Sequence, residues 1–327
     1  GLWIEPEMIS EESRLYRENP GWALHIPGRG VNRCRYQLDL DMANPEVVDY
    51  LFERFDTLLN ENDIDYVKWD MNRSISDWYS PSVPADRQKE IPHRYVLGVY
   101  VLLDRLTKAH PGVLFEGCAG GGGRFDAGML FYQPQIWTSD NTDAHDRTLI
   151  QYGTSFFYPV SAMSAHVSAV PNHQTGRITS LSTRGIVAMA GSFGYELDLS
   201  KLSWEEKKEM KEQVAWYKQL QPLIFKGDYY RLTGPDEKQS FWMFVSKDKK
   251  KAFVEGIVYE HKPTSLRHRI RLKGLDPNAL YRCTGTSFET PVPNLTVTGE
   301  ALMSGGVLLH YSWGNDSGAA LVFEKVE

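Results

Sequence analysis

Cysteine is scarce in this 327-residue chain: Cys34, Cys118 and Cys283 are the only three. Three thiols with no C-x-x-C pair exclude a disulfide framework and a structural zinc site. Reduced thiols fit a cytoplasmic location. Long apolar runs are also lacking. No stretch reaches the ~18 residues that a membrane-spanning helix needs. Thirty-six Lys and Arg against 42 Asp and Glu leave a net charge of −6, so no global basic field exists to draw in a nucleic acid backbone. The nine histidines are scattered, with no H-E-x-x-H, and neither a metal nor a cofactor is expected. No G-x-S-x-G elbow points to an α/β-hydrolase. The run Gly120–Gly123 lacks both phosphate-loop patterns and reads instead as backbone that turns sharply near a ligand. Hydrophobic residues make up 42% and charged residues 24%, which is ordinary globular composition and excludes disorder.

What is present alternates. Strand-like runs at Leu2–Glu5, Tyr36–Asp41, Asp65–Asp70, Val113–Cys118, Gln135–Asp140 and Phe157–Val167 are separated by amphipathic segments of helical length. The clearest helix runs from Pro45 to Leu59, with Asn44 as its cap and proline at its first position. Others are expected over Tyr95–Lys108, from near Asp143, and over Ser203–Leu220 behind a Ser203/Glu206 capping box. Repeated strand–helix units predict a parallel sheet flanked by helices. Glu5, Asp41, Asp70, Cys118 and Asp140 all fall at strand C-terminal ends, and such ends converge on the mouth of a (β/α)8 barrel. Six units are readable where a barrel needs eight. The chain starts on Gly-Leu-Trp-Ile-Glu-Pro-Glu, already strand-like, so the expectation is a TIM barrel lacking its first two strands.

After Tyr229 short β-branched and aromatic runs take over: Ser240–Val245, Ala252–Tyr259, Ser265–Leu272, Asn294–Thr298 and Gly318–Glu324. They predict an antiparallel all-β domain of sandwich type. The expected organisation is a catalytic barrel portion over 1–228 and a C-terminal β-sandwich over 229–327. The lysine-rich Lys247–Lys251 reads as a solvated hairpin tip.

Two strand ends carry the chemistry. In Tyr66–Asn72, Tyr66, Lys68, Asp70 and Asn72 share one face and Val67, Trp69 and Met71 the other. An inward polar row is costly to bury unless it binds something polar. The second strand ends at Asp140, with Trp137 near enough to wall the same pocket, while Asp143 reads as the cap of the next helix, with Thr142 or Asn141 competing for the role. Two carboxyls on one mouth are the minimum equipment for breaking a glycosidic bond. Lys68 is expected to hold Asp70 ionised as nucleophile, leaving Asp140 as acid/base. Glu116 is expected to back the site rather than act as a third acid.

Tyr66–Arg73 (YVKWDMNR), Phe115–Arg124 (FEGCAGGGGR) and Trp137–Asp143 (WTSDNTD) resemble signature segments of glycoside hydrolase family 36 alpha-galactosidases. Gly1–Met8 (GLWIEPEM) and Arg35–Asp41 (RYQLDLD) resemble further stretches, and the likeness runs from residue 1 to 327. The resemblance implies a retaining mechanism with Asp70 as nucleophile and Asp140 as acid/base. It implies contacts to galactose from Arg35, Lys68, Trp69, Asn72, Cys118 and Trp137. The implied substrates are melibiose- or raffinose-type α-galactosides, and a homo-oligomer is expected as in the family. It also places an N-terminal β domain, two barrel strands, a pair of adjacent aspartates and a tryptophan upstream of Gly1. Two other readings remain open: a raffinose-synthase-like galactosyltransferase, and a catalytically incomplete galactose-binding fragment.

Overall fold

Tyr66–Trp69 is a strand whose burial alternates residue by residue: Val67 and Trp69 are buried, Tyr66 and Lys68 half-buried. The computed structural model describes residues 1–235, 238–261, 267–286, 295–310 and 315–326. They form two compact units, Gly1–Trp137 and Thr138–Glu327.

The strands, in chain order, are β1 (Leu2–Ile4), β2 (Met8–Ile9), β3 (Leu38–Asp39), β4 (Tyr66–Trp69), β5 (Leu114–Gly117), β6 (Gln135–Trp137), β7 (Met163–Ser168) and β8 (Ser192–Glu196). The helices are α1 (Arg14–Glu18), α2 (Pro45–Glu61), α3 (Ile91–Ala109), α4 (Ala127–Tyr132), α5 (Ala144–Thr154), α6 (Leu181–Met189) and α7 (Trp204–Lys226).

In the first unit β1, β4, β5 and β6 lie side by side and parallel. Glu5, Asp70 and Cys118 each follow directly on a strand end, so the parallel register brings them to one edge of the sheet. The predicted strand Tyr36–Asp41 is not one of this set. Only Leu38–Asp39 is extended there, and β3 pairs antiparallel with β2 outside the parallel sheet. Arg35 and Tyr36 take left-handed backbone angles (φ 54° and 62°), which turns the chain before it can extend.

Helix α2 begins as its sequence dictates: the Asn44 side chain accepts from the Glu46 amide at 3.0 Å, and Pro45 needs no amide partner. It buries Val47, Val48, Leu51 and Leu59, and α3 buries Ile91, Tyr95, Val99, Leu102, Leu103 and Leu106 in the same core. Each such aliphatic side chain contributes about 1.5–3 kcal/mol on leaving water. Gly98 is required where α3 passes residue 42. A Cβ there would lie 1.8 Å from the Met42 carbonyl oxygen.

In the second unit β7 and β8 form a parallel pair. The predicted strand Phe157–Val167 starts later than expected. Phe156 and Phe157 are exposed and Val160–Ala162 forms a 3-10 turn behind Pro159. Strand β8 escaped the sequence reading because its run, Ser-Phe-Gly-Tyr-Glu, carries a glycine and little β-branching. Helix α6 is buried at all nine positions.

Beyond α7 come β9 (Asp228–Thr233), β10 (Gln239–Val245), β11 (Lys251–Val258), β12 (Arg267–Ile270), β13 (Leu280–Thr286), β14 (Thr296–Thr298), helix α8 (Gly299–Ser304), β15 (Val307–His310) and β16 (Ser317–Lys325). Six of these strands make an antiparallel sheet in the order β14-β13-β16-β11-β10-β9. The β12–β15 pair shares its core through Ile270, Val307 and Leu309. Of the predicted runs, positions 265, 266 and 294 lie outside the described residues. The lysine-rich tip joins β10 to β11, with Lys249 at φ 57°. Helix α6 packs on β7 and also on β11 and β16, so the parallel and antiparallel parts of this unit meet on one helix. Among the described residues no helix is long and apolar enough to cross a membrane.

Candidate active site

Asp70 is 6% exposed and both its oxygens are held. Oδ1 accepts the Met71 amide at 2.9 Å. Oδ2 accepts the Trp3 indole N–H at 3.1 Å and the Asn72 side-chain amide at 2.7 Å. These hydrogen bonds fix the orientation of the carboxylate. Trp3 can reach it because β1 runs in register with β4, with Trp3 opposite Lys68.

Cys118 closes the other side. Burial, followed by the neighbouring Asp70 carboxylate, which accepts its hydrogen bond, pushes the thiol up to about 12. It is a neutral S–H donor at neutral pH.

Asn72 also donates to Oε1 of Glu5 at 2.6 Å, and Arg35 Nη1 reaches the same oxygen at 3.3 Å. With its amide protons committed to Glu5 and Asp70, Asn72 keeps its carbonyl oxygen for a ligand hydroxyl. The Arg35 side chain is 56% exposed, free to meet a ligand from the solvent side.

Lys68 does not rest on Asp70. Its ammonium lies 3.2 Å from Oε1 of fully buried Glu116 and 4.7 Å from the ring centroid of Trp137. The reason is register: Lys68 faces Glu116 directly across β4 and β5, whereas Asp70 lies beyond the strand end. Glu116 is also held by Gln135 Nε2 at 2.9 Å. The expected pairing of Lys68 with Asp70 is thus corrected: the partner of Lys68 is Glu116. Trp3, Asn72 and the Met71 amide are what hold Asp70.

Trp69 is corrected too. It is 0% exposed and packed against Phe55, and its indole donates to Glu7 Oε1 at 2.8 Å on the side of the strand away from Lys68. It cannot touch a ligand at the Asp70 face. Beneath it Glu7 receives Arg124 through two bonds, at 3.0 and 2.8 Å, and the Tyr95 hydroxyl at 2.7 Å. Burial raises the Glu7 carboxyl, but the Arg124 guanidinium and the hydrogen bonds from Arg124, Trp69 and Tyr95 outweigh it and leave it below the usual range. This buried knot anchors β4 from behind.

In the second unit Asp140 is exposed, in a bend before α5. Asp143 is the cap of α5, accepting from the His145 and Asp146 amides at 2.9 and 3.2 Å. Thr175 and Arg177 also bind it. Burial raises the Asp143 carboxyl, and these bonds, with the Arg177 charge, bring it below its ordinary value. The capping role and the free carboxylate therefore fall on different residues.

Trp3, Glu5, Glu7 and Arg124 were not read as site residues. A signal for the first two existed: Trp3 and Glu5 alternate on one face of the first strand. Nothing local marks Glu7 or Arg124, which meet 117 positions apart. Among the described residues, no group of three His, Cys, Asp or Glu side chains is placed to hold a metal ion.

The melibiase family model matches residues 1–227, and the glycosyl hydrolase family 36 C-terminal domain model matches 239–323. The chain belongs to glycoside hydrolase family 36. It is 50% identical over 312 residues to alpha-galactosidase AgaA of Geobacillus stearothermophilus, covering 95% of this chain and 42% of that one. Alpha-galactosidase C of Emericella nidulans is 46% identical over 330 residues, covering 99% and 41%. The crystal structure of the alpha-galactosidase from Lactobacillus brevis superposes with a TM-score of 0.95 at 44% identity, covering all of this chain and 44% of that one. A crystal structure of a substituted Geobacillus enzyme with raffinose gives 0.94 at 47% identity, with the same coverage. This family 36 chain thus spans about 42% of the length of its relatives and has their fold, a (β/α)-barrel portion followed by an antiparallel β domain.

Proposed function

We propose that the protein carrying this chain hydrolyses terminal, non-reducing α-D-galactose from melibiose- or raffinose-type oligosaccharides by retaining double displacement. The observation that carries the reading is Asp70 itself: a carboxylate just past the end of a parallel strand, with both oxygens oriented by hydrogen bonds. Relatives named alpha-galactosidase, and crystal structures of one of them with raffinose and with stachyose, support the substrate class. Those two structures carry aspartate substitutions seventy positions apart, which is also the spacing of Asp70 and Asp140.

Asp70 attacks the anomeric carbon while Asp140 protonates the departing glycosidic oxygen, giving a galactosyl ester on Asp70. Asp140, now a carboxylate, takes a proton from water, which displaces Asp70 and releases galactose with its α configuration retained. The exposure of Asp140 suits a group that must exchange a proton in each turnover. Arg35, Lys68, Asn72, Cys118 and Trp137 contact the sugar. The barrel portion ends at 228 and the β-sandwich fills 229–327. The enzyme is cytoplasmic, forms homo-oligomers, needs no metal or cofactor and binds neither nucleic acid nor membrane.

The test is Asp70→Asn in the full-length protein, assayed on an aryl α-galactoside. Hydrolysis should fall by ~10³-fold or more, and NMR of the wild-type product should show α-galactose first. Near wild-type hydrolysis by the variant, or β-galactose as first product, overturns the reading. Product found mainly on a sugar acceptor assigns the protein to galactosyl transfer.

A further inference from the structure

Asp140 stands in a stretch whose neighbours are all tied down. The Ser139 carbonyl accepts Arg147 at 3.1 Å, and Asn141 donates to Asp146 at 2.7 Å. The next two residues are held by one short turn further along the chain. That turn closes on itself, with the Asn172 amide bonded to the Arg177 carbonyl at 2.9 Å and the Gly176 amide to the Asn172 carbonyl at 2.8 Å. From it Asn172 Nδ2 donates to Thr142 Oγ1 at 3.0 Å, and Thr175 Oγ1 donates to Asp143 Oδ2 at 2.6 Å. Arg177 Nη1 donates to Asp143 and lies 3.4 Å from Asp146.

Arg177 reaches one carboxylate more. Its Nε lies 3.7 Å from Oδ2 of Asp316, at the loop leading into β16 of the antiparallel sheet. Asp316 is itself fixed: Oδ1 meets His145 Nδ1 at 2.5 Å, and its carbonyl accepts the Thr183 hydroxyl at 3.0 Å. One guanidinium therefore joins the segment after Asp140, the first turn of α5 and the antiparallel sheet.

We propose that Arg177 is a positioning residue for Asp140: it transmits the hold of the antiparallel sheet, through Asp316, to the loop 139–143. This rests on the reading of Asp140 as acid/base. A general acid works only if its proton points at the leaving oxygen, and a displacement of about 1 Å can lower the rate ~100-fold. Asp140 has no partner of its own to fix it among the described residues, so its aim is set by the backbone on either side. If Arg177 served only to brace the start of α5, its loss would weaken the fold and lower the rate on every substrate alike.

The test compares two substrates in the full-length protein. Melibiose needs its leaving oxygen protonated; α-galactosyl fluoride releases fluoride without that help. Asp140→Asn sets the reference and should lower kcat/KM on melibiose by ~10²–10⁴-fold, with a far smaller loss on the fluoride. Arg177→Gln should lower melibiose kcat/KM by ~10–100-fold while the fluoride keeps most of its rate. Arg177→Lys should recover part of the loss, and Asp316→Asn should show the same selectivity more weakly. Equal losses on both substrates, or none on either, overturn the positioning role. Should Arg177→Gln not fold, Arg177→Lys and Asp316→Asn are judged by the same ratio. If Asp140→Asn shows no selective loss on melibiose, the acid/base assignment fails and this inference with it. Selective loss for Asp140→Asn with none for the Arg177 and Asp316 variants removes the inference alone.

Discussion

The indole N–H of Trp3 donates to Oδ2 of Asp70 at 3.1 Å across two neighbouring parallel strands. Half of Trp3 is exposed, so the residue lies at the surface of its unit while orienting a nearly buried carboxylate. Trp3→Phe keeps the ring but removes the donor. A hydrogen bond to a charged group is worth about 1.5–3 kcal/mol, so kcat/KM should fall about 10–100-fold with little change in folding stability. An unchanged rate in a steady-state assay would show that Asn72 and the Met71 amide suffice.

Lys68 and Glu116 form a pair in which the Glu116 side chain is fully buried and the Lys68 side chain 17% exposed. Removing one member leaves the other charge stranded. Lys68→Met should destabilise by ~3–5 kcal/mol, read from urea unfolding followed by fluorescence. Lys68→Met combined with Glu116→Gln should recover most of that loss. Should the double variant be no better than the single one, the ion pair does not control stability here.

Glu255 lies in the middle of β11, fully buried. Its Oε1 accepts the Trp242 indole at 2.7 Å, and its Oε2 has no hydrogen-bond partner among the described residues. Burial raises its pKa well above the ordinary 4.5, against a smaller lowering by Trp242. Below 4.5 folded and unfolded chains both hold the proton; as pH rises the unfolded chain loses it first and stability falls. Glu255→Gln removes that loss. The gain in urea midpoint should therefore be larger at pH 8 than at pH 4.5. Equal gains at both would place the charge elsewhere.

Local signals were legible wherever one element set the outcome. The Asn44-Pro45 start of α2, the Ser203/Glu206 capping box and, as far as Trp69, the alternation expected along Tyr66–Asn72 are short-range effects, and the structure has them. Asp143 reads as a cap for the same reason. What a sequence hides is pairing across strands. Lys68 lies nearer in sequence to Asp70 than to Glu116, yet strand register gives it to Glu116. The Tyr36–Asp41 run had strand composition but is turned aside at Arg35 and Tyr36, while glycine-containing Ser192–Glu196 is a strand because β7 offers it a parallel edge. Trp69 follows from the alternation alone: it shares its strand face with Val67, and both are buried.

Helix α6 has no side that faces water. A chain cut before β9 would leave Ile186 and its neighbours bare where β11 and β16 had lain. The antiparallel region is therefore no detachable ornament hung on the parallel strands of its unit. It covers one face of α6, and a chain that lost it would have to rebuild that helix in a different alphabet.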